Sequence, residues 1–386
     1  MERTEQPAPS LKLMHFGLML AGLGTALLGP ILPLLAKQWE MVDSQSGLLM
    51  TAKFCGAFLG GVTVSQRLRW SLLVGLFAGA AGFGGFALSP SMILGCMGLF
   101  VGGFGLGQII TSINILAGRR FTAHRGSALS LLNFSFSLGA MLSALLAAWL
   151  LPHFALREVL MGFAGLFVMG LLALWMQMRG EVSGDENFDA VSIETGPPQI
   201  GLGGRVYLYF AGLLVLYGGL ETCLSGWLTT FALRYGNKTL AVSEYTTLLL
   251  WMGLTFGRLG AAAVMLRVGE KTAQRWSLGL AAMFTAALAM AHSAGSIAGF
   301  AVVLGLSLAP FFPATFALLI AERPTARQAG IVVAVSGLGA AALPWTMGVI
   351  STRKGSLQLA LALPFVAALV LLAMSRFPPR TRQGAD

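Results

Sequence analysis

A chain of 386 residues that is 56% hydrophobic and only 10% charged, with mean hydropathy +0.78, carries more apolar surface than a soluble globular protein of this length needs. Its formal net charge of +10 does not mark a nucleic-acid binder, because the Lys and Arg residues lie in short connections between apolar runs and not on one amphipathic face. Cys55, Cys96 and Cys223 all fall inside apolar runs without metal-ligand spacing, and read as small packing residues.

The apolar runs are continuous and about 20 residues long, the length of a membrane-crossing helix, and lack the every-second-residue alternation of a barrel. In chain order they predict an all-α membrane protein with twelve spans, at 13–36, 44–66, 71–88, 91–117, 126–151, 157–178, 205–233, 242–266, 274–291, 295–320, 328–350 and 357–375. The first run is longer than a signal-peptide core and reads as a retained span. Pro30, Pro33, Pro310, Pro313, Pro344 and Pro364 remove backbone donors inside spans, which predicts kinks in spans one, ten, eleven and twelve.

Between spans six and seven the sequence turns polar, with Glu181, Asp185, Glu186, Asp189, Glu194 and the pair Pro197-Pro198. This stretch divides the chain into a six-helix bundle at 1–178, a cytoplasmic linker at 179–204 and a second six-helix bundle at 205–386. With both termini cytoplasmic, most Lys and Arg fall on the cytoplasmic side. Lys37, Arg157, Arg234, Lys238, Arg353 and Lys354 fall outside, and Lys53 and Arg258 lie within spans.

The two halves share features at an offset near 200 residues. Leu138-Gly139-Ala140 recurs as Leu338-Gly339-Ala340, Gly56 and Gly60 correspond to Gly253 and Gly257, and Arg125 to Arg327. That points to a parallel repeat. Gly102-Gly103-x-Gly105-x-Gly107 follows no strand and serves close helix packing, not nucleotide binding.

Glu221 stands out as the acidic residue deepest in a span, where a lone carboxylate costs several kcal/mol unless it has a partner or a wet cavity. It reads as a coupling-ion or solute ligand. Lys53, in span two, lies at a depth from which its long side chain could reach Glu221, so a Lys53–Glu221 pair that forms or breaks during transport is expected.

Twelve spans in a 6+6 arrangement resemble the major facilitator superfamily. The Gly-x-x-x-Asp-Arg-x-Gly-Arg-Arg loop of that family is degraded here to Gly61, Ser65, Gln66, Arg67, Leu68, Arg69 and Trp70, without the acid, while the second-half loop keeps Arg267-Val268-Gly269-Glu270-Lys271. The stretches 125–140 and Tyr217-Gly218-Gly219-Leu220-Glu221, with Gly226-Trp227, are similar to the fucose and glucose/galactose branch. The resemblance implies a monomeric carrier in the cell inner membrane that moves a sugar with protons or sodium, and no other cofactor. Acids that such carriers can hold in spans one and four are replaced by Gln108 and Asn114 in span four.

The expected solute-binding set is Gln108, Asn114, Asn133, Tyr217, Trp227, Trp251 and Trp345: amides offer donors and acceptors to sugar hydroxyls, and indoles can stack on a ring. In span eight, Thr247, Trp251, Thr255 and Arg258 form one stripe by their spacing. Trp227 lies about 120° around its helix from Glu221 and can share its cavity only if the helix breaks near Gly226. Arg258 and Arg125 are assigned to gating. An enzyme is not expected, since the histidines are scattered and no phosphate-binding loop occurs. Two alternatives stay open: proton-driven efflux of amphipathic compounds, and a non-transporting receptor or lipid-handling protein.

Overall fold

The computed structural model describes residues 10–65, 67–120, 125–180, 201–236 and 239–379, apart from the side chains at 118–120, 125–130, 180, 240–242, 262–264, 266 and 326. Nearly all of the expected linker falls on 181–200, outside the described residues. Those that are described form helices and no strand.

The helices are α1 (Leu11–Ala26), α2 (Leu28–Gln38), α3 (Asp43–Val62), α4 (Leu68–Ala87), α5 (Met92–Arg120), α6 (Arg125–Leu150), α7 (Leu156–Gly180) and α8 (Gly204–Tyr235). They continue as α9 (Leu240–Val268), α10 (Glu270–Ala289), α11 (Ala294–Leu308), α12 (Phe311–Ala321), α13 (Ala326–Ala334), α14 (Ser336–Lys354), α15 (Leu357–Ala360) and α16 (Ala362–Arg376). Among the described residues, nine helices or broken helix pairs are long and apolar enough to cross a membrane: α1–α2, α4, α5, α6, α7, α8, α11–α12, α13–α14 and α15–α16.

Three of these breaks follow from proline. A proline clashes with the carbonyl four residues earlier. Pro30 points back to Ala26, where α1 ends; Pro313 to Ala309, between α11 and α12; and Pro364 to Ala360, where α15 ends. In the eleventh run the break lies elsewhere. Pro344 sits inside an uninterrupted α14, and the interruption is at Val335, where the Ser336 hydroxyl donates to the Val333 carbonyl at 2.7 Å.

Glycines set the helix crossings. A methyl built on Gly139 would stand 1.9 Å from the Met19 carbonyl oxygen, and one on Gly339 1.7 Å from that of Val215. Thus α6 lies backbone-to-backbone on α1, and α14 lies the same way on α8. The reverse contacts repeat too: Gly22 meets the Phe136 carbonyl and Gly218 that of Ser336. Gly56 meets the Phe100 carbonyl on α5, and Gly253 that of Val302 on α11. Only a residue without Cβ allows this approach.

Three sets of contacts join residues before 180 to those after 204. Helix α3 packs along α14, α6 along α9, and α2 along α8. The Ser10 amide donates to the Gln177 side chain, so α1 begins where α7 ends; this end of the molecule is the Ser10 face. Asp43, at the start of α3, marks the opposite end, the Asp43 face.

Candidate functional site

Glu221 lies near the middle of α8, only partly buried, with its hydroxyl-bearing neighbours turned onto their own helix: Thr222 donates to the Gly218 carbonyl and Ser225 to that of Glu221. Its ionic partner is Arg258 of α9, with Nη2 3.9 Å from Oε2. The other guanidinium nitrogen, Nη1, reaches α6, donating to the Ser137 hydroxyl at 2.5 Å and to the Asn133 carbonyl at 3.2 Å. Arg258 is 5% exposed, and its planar, forked head holds α8 and α6 together in a way that a point charge could not.

The expected Lys53–Glu221 pair is not formed. Glu221 is served by the adjacent helix α9, while Lys53 points into the first 180 residues. Its ammonium donates to the Thr25 carbonyl of α1 and stands 4.7 Å from the centre of the Phe54 ring. Lys53 is 2% exposed, and among the described residues no carboxylate lies within ion-pair distance of it.

The stripe on α9 continues one turn beyond the part read from sequence. Glu244, Thr247, Trp251, Thr255 and Arg258 are all buried on one helix face. Glu244 Oε1, Trp251 Nε1, Thr255 Oγ1 and Arg258 Nε have no protein hydrogen-bond partner among the described residues, whereas Thr247 bonds Thr229 of α8 at 2.7 Å. A buried polar atom left unpaired costs about 1–3 kcal/mol, which makes this stripe the polar wall of the interior. Glu244 was missed because it sits one turn from the start of the helix; its spacing of three from Thr247 was the available signal.

Of the other expected residues, Tyr217 and Asn133 join the Glu221–Arg258 pair and the rest lie apart from it. Gln108 donates to the Thr63 hydroxyl at 3.1 Å, tying α5 to the end of α3, and Asn114 is partly exposed on another face of α5. Asn133 contributes its backbone carbonyl to Arg258. Tyr217 is buried: its hydroxyl donates to the Leu308 carbonyl at 3.2 Å, its ring stacks on Phe311 at 4.3 Å, and its phenol stands beside the Glu221 carboxylate and the Arg258 guanidinium. Helix α8 runs unbroken past Gly226, so Trp227 does not turn to the Glu221 face of the helix; it packs toward α14 and donates to the Pro344 carbonyl at 3.1 Å. Trp345 is 40% exposed where α14 crosses Gly47 of α3. Arg125 begins α6, and its side chain lies outside the described residues.

A second interlock, not anticipated from sequence, closes the Asp43 face. Arg234, at the end of α8, binds Asp43 through both terminal nitrogens, at 2.7 and 2.5 Å, and the Ser351 hydroxyl of α14 donates to the same carboxylate at 2.5 Å. The Ser44 amide donates to the Thr352 hydroxyl at 2.9 Å, and deeper in, the Thr51 hydroxyl donates to the Ala341 carbonyl at 2.8 Å. The partners are 191 and 308 residues apart, and no local pattern announces them.

Broken helices, glycine crossings repeated at an offset near 200 residues and a charged pair at mid-helix are the anatomy of a carrier. The sequence profile of the Major Facilitator Superfamily matches residues 14–344. The chain belongs to this superfamily. It is therefore a transporter of small solutes and not an enzyme. The yeast protein "Bypass of stop codon protein 6" of Saccharomyces cerevisiae is 22% identical over 97% of this chain and 84% of its own length. The niacin transporter NiaP of Acinetobacter baylyi is 23% identical over 71% of this chain and 70% of its own. Among solved structures, the partially occluded, inward-open xylose transporter XylE from E. coli superposes with a TM-score of 0.78 at 14% identity, covering 96% of this chain and 98% of that one. At that identity the likeness is one of fold.

Proposed function

We propose that this superfamily member is a secondary active transporter that carries a small polar solute of sugar size across the cell inner membrane by alternating access, driven by a proton or sodium gradient. Twelve transmembrane helices in two six-helix bundles, 1–178 and 205–386, follow when α3, α9 and α10 are counted as spans. Their hydropathy is lowered by residues the mechanism can use or that sit at a membrane edge: Asp43 and Lys53, Glu244 and Arg258, and Glu270, Lys271 and Arg275. Both termini are placed in the cytoplasm, which makes the Asp43 face external.

The observation that carries this reading is the double engagement of Arg258. It holds Glu221 of its own bundle and Asn133 and Ser137 of the other. The α6 contact lies about 12–18 Å from the start of that helix on the Ser10 side, and the Asp43–Arg234–Ser351 interlock closes the opposite end. One interlock must open while the other holds for the solute to cross. When a cation binds Glu221, Arg258 loses its ionic partner on α8, and the link to α6 is the contact that changes. Coupling thus reaches the inner interlock through a single side chain.

The solute chamber is placed beside Glu221, against the unsatisfied Trp251, Thr255 and Arg258 of α9. A sugar is supported by these mixed donors and acceptors and by the fold likeness to a xylose transporter; an organic acid is supported by the similarity to a niacin transporter. Counterflow in proteoliposomes tests the reading, with labelled xylose, fucose and nicotinate as probes. Exchange of any of the three supports uptake, dye extrusion alone would point to efflux, and absence of all flux would leave a receptor or lipid-handling protein.

A further inference from the structure

Three helices meet in a thin contact layer on the Asp43 side of Glu221. A methyl built on Gly29 of α2 would stand 2.5 Å from the Ser225 carbonyl of α8, and one on Gly226 would strike Met50 of α3 at 2.7 Å. One helical turn toward the Ser10 face brings each chain to a polar residue. From Gly29 the step leads to Thr25, from Met50 to Lys53, and from Ser225 to Glu221. Thr25 and Glu221 are both partly exposed just beneath the layer. The wall continues through Phe54, beside Gly337 of α14, and through Arg258 of α9.

The charges of this cluster do not balance when the Lys53 amine is protonated. Arg258 and Glu221 offset one another, which leaves Lys53 as an extra cation with a carbonyl and a ring face as its partners. A lysine ammonium has three donors, and the Thr25 carbonyl takes one. A buried cation without a counter-ion is costly, and in a membrane interior such a residue marks a solute or ion site. A sugar hydroxyl cannot offset that charge; a carboxylate can.

We infer that the transported solute carries a carboxylate, and that Lys53 is the residue that receives it, with the Thr25 carbonyl holding the ammonium at the chamber wall. This rests on the transport reading above and narrows its solute to a small organic acid, such as a sugar acid or an aromatic acid. Glu221 then faces the same anion, so the carboxylate is admitted when Glu221 is neutralised by its coupling cation. Solute and coupling ion would enter together for that reason.

The experiment uses the full-length purified chain and matched pairs of probes: nicotinate with nicotinamide, benzoate with benzamide, and glucuronate with glucose. Binding is read by calorimetry or thermal shift, and flux by counterflow. The expected result is that at least one acid binds about ten-fold or more tightly than its neutral partner, the scale of a charge-assisted bond. Lys53→Gln should remove that preference, while Lys53→Arg retains it. Unliganded melting temperatures of the two variants establish that both fold. Equal or tighter binding of the neutral partner in every pair, no binding by any probe, or an acid preference that survives Lys53→Gln would overturn the inference. Counterflow of a neutral probe alone would overturn it and leave the transport reading standing. Acid binding without any flux would overturn transport and leave the anion site.

Discussion

The Asp43 interlock allows a worked estimate. In Asp43→Asn the carboxylate that accepts two guanidinium bonds and the Ser351 hydroxyl becomes an amide that can keep part of this set without the charge. A bond to a charged group contributes roughly 1.5–3 kcal/mol when buried. Here the Asp43 side chain is 10% exposed but that of Arg234 is 43%, so water screens the pair and a net loss of about 1–2 kcal/mol is the better figure. Since 1.4 kcal/mol is about ten-fold, the ratio of closed to open molecules at this face should fall roughly 5- to 30-fold. Spin labels at Val42 and Arg353, exposed just before α3 and near the end of α14, would report the change by double electron–electron resonance after the three native cysteines are replaced. The longer-distance population should grow in Asp43→Asn and shrink again in Asp43→Arg combined with Arg234→Asp. A distance distribution identical in wild type and Asp43→Asn would refute the reasoning.

Three more outcomes follow from particular contacts. Arg258→Lys keeps the charge but loses the fork that spans α8 and α6, so transport should drop about ten-fold or more while the melting temperature changes little; near-normal flux would remove Arg258 from the mechanism. Gly339→Ala forces a methyl to 1.7 Å from the Val215 carbonyl and should cost about 1–3 kcal/mol or more, seen as a lowered melting temperature. Gly279→Ala, where nothing lies within 4 Å, should be neutral or stabilising by up to about 1 kcal/mol; equal effects of the two would contradict the crossing geometry. Trp227→Phe, which loses the bond to the Pro344 carbonyl, should destabilise by about 1 kcal/mol, whereas Trp345→Phe, already 40% exposed, should be nearly silent in a thermal melt.

Much of the helical layout could be read from the sequence because its causes are local. Run length sets the helices, and three of the four breaks sit at the carbonyl four residues before Pro30, Pro313 or Pro364. The recurrence of Leu-Gly-Ala could be read because Gly139 and Gly339 solve the same crossing twice. Glu221 and Arg258 each stood out as charges in apolar runs, but their pairing did not. Sequence depth alone points to Lys53 as the partner of Glu221, and the packing of α9 on α8 brings Arg258 to it instead. The Asp43–Arg234–Ser351 set was not readable at all: Asp43 looks like an ordinary acid at a helix start, and its partners arrive from chain segments brought near by the fold. Trp227 departs from its expected place for a related reason. Trp227 is rich in binding chemistry, yet it spends its polar atom on the Pro344 carbonyl of a neighbouring helix, whereas the Tyr217 hydroxyl, bonded to the Leu308 carbonyl, also stands beside Glu221 and Arg258.

Glu221→Gln separates coupling from carriage. In proteoliposomes loaded for exchange, the variant should still swap labelled for unlabelled solute, because Gln stands in for the cation-neutralised carboxylate and the Asp43 interlock is untouched. It should fail to accumulate solute against its gradient when a proton or sodium gradient is imposed, because Arg258 no longer responds to cation binding. Gradient-driven accumulation at the wild-type level in Glu221→Gln would contradict the role given to that carboxylate and, with it, the link from Glu221 through Arg258 to α6.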